Sequence, residues 1–323
     1  MEIVHTPVLL EETLQVLAPR QPEELMIDTT VGEGGHSYAF LSRFPDLRLI
    51  GIDADPEIQE VAKQRLKVFG ERVHWYTGWS HDFFADPSYE KPDTILIDLG
   101  VSRYHYEKGA RGFSFLRDEV LDMRIDRTQG LAAAELIAGL SEKALADLLY
   151  TYGEERYARR IARSITEAKA RGRISRSGAL ADIVVRAVPS SRYRESIHPA
   201  TRTFQALRIA VNGELTRLQE LLERAIRVLK PGGRVGVITF HSLEDRIVKH
   251  FFREKGTDYT GTQEQPIYEY KERGSRSVKV LYRKGITPGE AEIRNNPSSR
   301  SARLRIVEKV VDKDVCLQYK EMR

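Results

Sequence analysis

The stretch Met26-Ile27-Asp28-Thr29-Thr30-Val31-Gly32-Glu33-Gly34-Gly35-His36 decides the fold class of this chain. A short apolar run ends in an acid, three glycines follow within four positions, and residues 37–44 can begin a helix. Strand, glycine-rich turn and helix start in this order are typical of α/β proteins that bind nucleotide-like ligands. Glycine suits the turn because a side chain there would keep a ligand away from the backbone.

Two more apolar runs end in aspartate. The first is Leu49-Ile50-Gly51-Ile52-Asp53, and the second is Thr94-Ile95-Leu96-Ile97-Asp98. An acid at the end of the second strand of such a fold accepts hydrogen bonds from ribose hydroxyls. Three strands that each end in aspartate therefore predict one ligand-binding edge.

The glycine pattern reads G-x-G-G-H and differs from the dinucleotide pattern G-x-G-x-x-G. No further glycine or basic residue is available in this loop for a pyrophosphate. The adenosine of S-adenosylmethionine therefore fits at least as well as a dinucleotide. A tight turn without a ligand is the alternative interpretation of the loop alone, and the acids Asp53 and Asp98 argue against it.

Composition limits the classes of protein to consider. The chain has 323 residues, enough for two domains, and 41% of them are hydrophobic. The single cysteine, Cys316, excludes an internal disulfide framework and a cysteine zinc site, and it fits a reducing, cytoplasmic environment. Residues 1–5 lack the features of a signal peptide, and no apolar run has the length of a membrane span. His198, His241 and His250 have no carboxylate at ligand spacing, so we predict no metal site.

The positive charge is concentrated in residues 150–210. This segment has thirteen Arg or Lys against five Asp or Glu, and twelve of the thirteen are arginines. Arginine binds phosphate in a fork and stacks on bases, so the segment predicts a nucleic-acid partner. A solvated helical face is the alternative. Arg171, Arg173 and Arg176 form the cluster that we expect to bind RNA.

The periodicity predicts an α/β domain that is interrupted by a helical domain. We expect the α/β domain at residues 1–105 and 206–323, with an inserted, basic, all-helical domain for RNA at 106–205. A helix over 204–229 should end at Lys230-Pro231-Gly232-Gly233. Residues 254–277 are predicted to be a polar loop. The predicted strands, which should form a mostly parallel sheet, lie near 25–30, 47–53, 72–76, 94–99, 234–240, 278–282 and 303–307.

Several motifs together resemble one family, and they run almost from end to end of the chain. They are His5-Thr6-Pro7-Val8-Leu9-Leu10, Gly32-Glu33-Gly34-Gly35-His36-Ser37, Asp98-Leu99-Gly100-Val101-Ser102, Arg111-Gly112-Phe113-Ser114-Phe115, Leu121-Asp122-Met123-Arg124, Tyr152-Gly153-Glu154-Glu155-Arg156, His198-Pro199-Ala200-Thr201-Arg202-Thr203-Phe204-Gln205 and Phe240-His241-Ser242-Leu243-Glu244-Asp245-Arg246. The chain resembles the bacterial small-subunit ribosomal RNA cytosine-N4 methyltransferases of the MraW or RsmH type.

The resemblance implies a Rossmann-like, S-adenosylmethionine-dependent enzyme. Its substrate would be the exocyclic N4 of a decoding-centre cytidine in 16S rRNA, free or in the assembled small subunit. The family's cofactor contacts fall on Gly34, Gly35, His36, Asp53, Trp79 and Asp98, with Trp79 against the adenine. The family glutamine that contacts the cofactor is replaced by His105, for which a surface role is the alternative.

The chemistry makes Asp98 the candidate catalytic residue, because an amine nucleophile needs an acceptor for its proton. A role as cofactor ligand remains open for Asp98, and the backbone carbonyls around Leu99 and Gly100 are alternative acceptors. Phe113, Phe115 and Phe240 are candidates for stacking a base or for core packing. His198 and Arg202 are candidates for binding rRNA phosphate or for linking the insert to the α/β domain.

Two other functions fit the residues. One is a methyltransferase that acts on another RNA base or on a small amine. The other is a non-catalytic RNA-binding or ribosome-assembly protein that keeps a cofactor fold. The sequence leaves the oligomeric state open.

Overall fold

A computed structural model describes residues 7–86, 88–107, 109–189, 198–257 and 276–310. Cys316 and most of the predicted loop at 254–277 lie outside these residues. The chain divides into two compact units, one made of the residues up to Gly100 together with those from Leu218 onward, and one made of Val101–Arg217. The second unit begins five residues before the predicted insert at 106–205 and ends twelve residues after it.

The first unit contains a seven-stranded sheet. Its central strands follow apolar runs, as expected for strands that are covered on both faces, whereas the two C-terminal strands alternate apolar and polar residues. In chain order they are β1 (Leu25–Asp28), β2 (Arg48–Asp53), β3 (Val73–Thr77), β4 (Thr94–Asp98), β5 (Arg234–Thr239), β6 (Val278–Val280) and β7 (Arg303–Lys309). All seven lie where the sequence predicts them, with ends that differ by up to two residues.

The strand order is β3-β2-β1-β4-β5-β7-β6. The first five strands are parallel, and β7 pairs antiparallel with both β5 and β6. The chain runs outward from β1 to β2 and β3 on one side, and then returns to place β4 on the other side. Ligands of open α/β sheets bind beside such a reversal, at the carboxyl ends of the strands.

Helices cover both faces of this sheet. Successive strand residues alternate between two apolar cores, so Met26 and Leu96 lie in one core and Ile27 and Ile97 in the other. The helices of the unit are α1 (Leu10–Val16), α2 (Gly35–Arg43), α3 (Pro56–Leu66), α4 (Ser80–Phe83), most of α11 (Glu214–Val228), α12 (Ser242–Lys255) and α13 (Glu290–Asn295), with 3-10 turns at Lys67–Arg72 and Pro297–Ser301. This arrangement confirms the predicted α/β fold.

The second unit is built from helices around a core of its own. They are α5 (Arg103–Glu107), α6 (Ala133–Gly139), α7 (Glu142–Gly153), α8 (Ala158–Lys169), α9 (Ser177–Ala187) and α10 (Thr201–Asn212). Residues 109–132 contain no helix, and Val120 forms an isolated β-bridge with Arg176. Among the described residues, no helix is both long enough and apolar enough to cross a membrane.

The predicted single helix over 204–229 is wrong. The chain forms α10 and α11 instead, separated by Gly213, whose φ of +59° places it in the left-handed region. Asn212, the last residue of α10, holds an earlier segment of the chain, since its side-chain amide donates to the carbonyl of Met123 and its Oδ1 accepts from the amide of Ile125. The Asn-Gly pair was the available signal for a helix end.

Candidate active site

Asp28, Asp53 and Asp98 end three neighbouring strands, β1, β2 and β4. Their carboxylates therefore lie along one edge of the sheet, at the reversal between β1 and β4. This edge is the candidate active site. Each of the three acids has different hydrogen-bond partners, and these differences assign them different roles.

Asp53 is held by the backbone on both sides of it. Its Oδ2 accepts from the amide of Gly32 at 2.9 Å, and its Oδ1 accepts from the amide of Asp55 at 2.9 Å. A carboxylate has about four acceptor positions, so it can accept from several donors at the same time. The glycine turn and the acid are thus fixed to each other before any ligand binds.

Trp79 lies beside Asp53 through the backbone. The amide of Gly78 donates to the carbonyl of Asp53 at 2.8 Å, and Trp79 follows at the start of α4. Its side chain is half-buried. Trp79 therefore stays a candidate for the contact with adenine that the family resemblance implies.

The glycine turn leads directly into α2. Gly34 precedes the helix with a φ of +76°. A Cβ at Gly35 would lie 2.6 Å from Cγ of Pro7, so no larger residue fits there without moving the segment that contains Pro7. The first amides of α2 thus lie at the same edge as the three acids, where they suit a negatively charged or polar group.

Of the three acids, Asp98 has the fewest hydrogen-bond partners at its carboxylate oxygens. Its amide donates to Oγ1 of Thr30 at 2.9 Å, and its Oδ2 lies 3.5 Å from Nδ1 of His36. Its Oδ1 is buried and has no hydrogen-bond partner among the described residues, although 20% of the side chain is exposed. Burial raises the pKa of the Asp98 carboxyl well above its usual value, and the nearby acids Asp28 and Glu244 raise it further.

Asp28 is a buried acid with local partners. Its Oδ2 accepts from the hydroxyl of Ser37 at 2.6 Å, and its Oδ1 accepts from the amide of Thr30 at 3.3 Å. Burial raises the pKa of Asp28 to about 6, against the lowering effect of these two hydrogen bonds. We therefore assign Asp28 to the support of the turn and not to direct contact with a ligand.

The sequence reasoning missed Glu244 as part of this electrostatic group. Glu244 is 2% exposed, and it accepts from the amide of Phe240 at 2.8 Å while capping α12. Nε2 of His241 lies 3.1 Å from its Oε1. The spacing of His241 and Glu244 after the predicted strand at 234–240 is a capping signal, but the closeness of Glu244 to Asp98 depends on the pairing of β4 with β5.

His105 lies in the helical unit. It is 4% exposed, and its ring packs against Phe113 with centroids 5.3 Å apart. The surface role considered for His105 is wrong, because the side chain is buried. Phe113 and Phe115 pack in the core of the helical unit and Phe240 packs against a core of the first unit, which fits core packing for all three.

Two of the three arginines in the predicted RNA-binding cluster lie close to acids. Arg171 is exposed, whereas a guanidinium nitrogen of Arg173 lies 3.9 Å from Glu135. Arg176 forms an ion pair with Asp118, its Nε lying 2.7 Å from Oδ2. Both acids come from outside residues 150–210. The charge imbalance within residues 150–210 therefore overestimates the number of arginines without an acidic partner, because Arg173 and Arg176 pair with acids from elsewhere in the chain.

The other two predicted RNA contacts also have partners within the helical unit. The ring of His198 stacks on Phe115 with centroids 4.4 Å apart, and its Nδ1 accepts from the amide of Ala200. Arg202 donates to the carbonyl of Glu154 at 2.7 Å. These contacts fix the start of α10 and the end of α7, and they compete with any external phosphate.

A further exposed basic surface of the unit lies on α8. This helix buries Ile161, Ala162 and Ile165 and exposes arginines on its opposite side. We call Arg159, Arg160 and Arg163, together with Arg156 just before the helix, the α8 arginine face. Only Arg163 has an acid within ion-pair distance among the described residues, which is Glu167 at 3.0 Å.

Comparison with known proteins identifies the family. The model of the MraW methylase family matches residues 2–310. A ribosomal RNA small subunit methyltransferase H from Treponema denticola is 53% identical over 96% of this chain and 98% of its own length, and one from Citrifermentans bemidjiense is 46% identical over 95% and 98%. A crystal structure of an rRNA methylase from Streptococcus thermophilus aligns with a TM-score of 0.43 and 10% identity over 96% of this chain and 100% of that chain, a likeness too distant to add to the assignment. The chain therefore belongs to the MraW methylase family, a family of S-adenosylmethionine-dependent methyltransferases.

Proposed function

We propose that this protein methylates the N4 amine of a decoding-centre cytidine in 16S rRNA. The family and the names of its close relatives support methylation of small-subunit rRNA. The observation that carries the finer assignment is the Oδ1 atom of Asp98. It is a buried carboxylate oxygen at the end of β4 with no hydrogen-bond partner among the described residues. An aminated base supplies the N–H donor that such an atom lacks.

Asp53, Trp79 and the turn at Gly34 and Gly35 would hold S-adenosylmethionine. The carboxylate of Asp53 suits the ribose hydroxyls because it accepts several hydrogen bonds at once, and Trp79 suits the adenine. His36 belongs to the same turn, but its ring is occupied by Val8 and Asp98, so any contact with the cofactor is by its backbone. When bound, S-adenosylmethionine supplies a sulfonium methyl group, so that a C–N bond forms, an S–C bond breaks and one proton must leave the amine.

Asp98 is suited to receive that proton. The lone pair of a cytosine amine is delocalised into the ring, and an acceptor on the N–H helps to localise it for attack. The carbonyls of Leu99 and Gly100 are the alternative acceptors at the same strand end. Asp98 differs from them because a carboxylate can take the proton completely, and its raised pKa brings its basicity closer to neutral pH.

The helical unit is proposed to bind the rRNA. Arg171, Arg173 and the α8 arginine face present exposed guanidinium groups to a polyanion. Arg176, His198 and Arg202 have partners inside the unit, so we expect smaller contributions from them. His105 remains a candidate cofactor contact through its buried ring. An rRNA substrate implies that the enzyme works in the cytoplasm.

Transfer of tritium from labelled S-adenosylmethionine tests this function. The recipients should be free 16S rRNA and small subunits that lack the modification, followed by mass mapping of the labelled fragment. We expect label on N4 of one decoding-centre cytidine. Label on another base would support the alternative RNA methyltransferase, and RNA binding without label would support the assembly protein. Label on free amines alone would indicate a small-molecule enzyme.

A further inference from the structure

The ring of His36 is held at both of its nitrogens. Its Nε2 lies 3.0 Å from the carbonyl oxygen of Val8, and its Nδ1 lies 3.5 Å from Oδ2 of Asp98. The side chain is 6% exposed. A carbonyl oxygen can only accept a hydrogen bond, so Nε2 carries a proton and donates it to Val8.

This tautomer has a consequence for Nδ1. In neutral histidine the second ring nitrogen has a lone pair and no proton. That lone pair would face the carboxylate of Asp98, which also offers only lone pairs when ionised. Two acceptors at 3.5 Å repel each other, and one added proton between them turns the repulsion into an attraction.

The surroundings favour keeping that proton. Asp28 from β1 and Glu244 from α12 face Asp98, and both carry or can carry negative charge. Asp53 acts on Asp28 in the same sense, and Nε2 of His241 lies 3.1 Å from Oε1 of Glu244. These acids, together with burial, raise the pKa of Asp98, which favours keeping a proton in this pair.

We infer that His36 and Asp98 hold one proton between them, and that His36 acts as the positioning residue that keeps Asp98 ionised for the substrate. With the proton on Nδ1 of His36, the imidazolium pairs with Oδ2 of Asp98 and leaves Oδ1 as a charged acceptor. After methyl transfer, Asp98 takes the proton of the amine, and one proton then passes to solvent. The second half of this inference rests on the proposed function of Asp98, whereas the shared proton is a property of the free protein.

The shared proton can be measured without turnover. Nitrogen-15 NMR of the eight histidines, with His36 assigned from the spectrum of His36→Gln, reports the protonation of each ring nitrogen. We expect both nitrogens of His36 to carry protons near pH 7, which leaves Asp98 ionised. A His36 ring with only one proton near pH 7 would overturn the positioning role, and a proton on Nδ1 with none on Nε2 would overturn the shared proton as well.

The pH profile of single-turnover methyl transfer tests the positioning role. His36→Gln keeps a donor for the Val8 carbonyl and removes the charge beside Asp98. Loss of an opposite charge within about 4–6 Å raises a carboxyl pKa by about 1–3 units. The acidic limb of the profile should therefore shift to higher pH by about 1–3 units, and most of the lost rate should be recovered at alkaline pH.

Two further variants complete the test. His36→Asn keeps an N–H near Asp98 without a titratable ring, and its profile should lie between those of wild type and His36→Gln. His250→Gln removes an exposed histidine of α12 and should leave the limb unmoved. An unmoved limb in His36→Gln, with normal melting temperature, would refute the positioning role. If the wild-type protein methylates no rRNA, the proposed function fails, and the NMR result still decides whether the proton is shared.

Discussion

The amide of Gly32 donates to Oδ2 of Asp53 at 2.9 Å, so the turn after β1 is anchored on the acid that ends β2. One carboxylate therefore shapes the loop, and we propose that it also binds the ribose. On this proposal, ligand binding and the order of the loop depend on the same side chain.

Asp53→Ala should weaken the binding of S-adenosylmethionine by about 1.5–3 kcal/mol, the range for hydrogen bonds to a charged group. The loop amides of Gly32 and Asp55 lose their acceptor in this variant, which adds to the effect. Isothermal titration calorimetry measures it. Asp46→Ala, an exposed acid before β2, is the matched control and should bind normally. An unchanged dissociation constant for Asp53→Ala would exclude the ribose role.

Asp98→Asn should lower single-turnover methyl transfer by about 10²–10⁴-fold, the usual yield of a positioned acid or base. The amide keeps the size of the side chain and loses its charge and most of its basicity. The comparison is made at saturating cofactor, with melting temperature as the folding control. A rate that returns to near normal at saturation would instead make Asp98 a cofactor ligand and favour the carbonyls of Leu99 and Gly100.

Asp28→Asn should change the pH dependence of stability. Because the pKa of Asp28 is raised to about 6 in the folded protein, the folded state binds a proton more tightly than the unfolded state does. The free energy of unfolding therefore falls as pH rises from about 4 to 6, by an amount on the order of 1–3 kcal/mol. The variant, which can still accept from Ser37, should lack this loss and exceed wild type at pH 7. Parallel urea titrations at pH 4 and 7 measure the difference, and equal pH dependence in both proteins would contradict the assignment.

Replacing Arg159 and Arg160 together by glutamine should weaken rRNA binding and flatten its salt dependence by somewhat under one log unit per lost phosphate contact. Affinity for S-adenosylmethionine should hardly change. Arg176→Gln is the comparison, because its guanidinium is held by Asp118 and contributes less to an outside partner. A larger loss of RNA affinity in Arg176→Gln than in the double variant would move the RNA surface to the predicted cluster.

The strands were predictable because their signal is local. The central strands are apolar runs, the last two strands alternate, and six of the seven strands end in a polar residue. The contacts that define the chemistry are not local. Thr30 holds the amide of Asp98 across 68 positions, and Asp118 reaches Arg176 across 58. A count of charges within one segment could not reveal an acidic partner that the fold brings from another segment. The roles assigned to Asp98 and Trp79 remain predictions.

The place of β7 has a consequence for how the protein is made. This strand lies between β5 and β6 and pairs with both, so β6 has no neighbour in the sheet until residues 303–309 have been synthesised. The helical unit, by contrast, is one continuous stretch of chain that can fold as soon as it leaves the ribosome. During translation the edge of β5 therefore stays unpaired, and its pairing with β7 is the late, long-range step of folding.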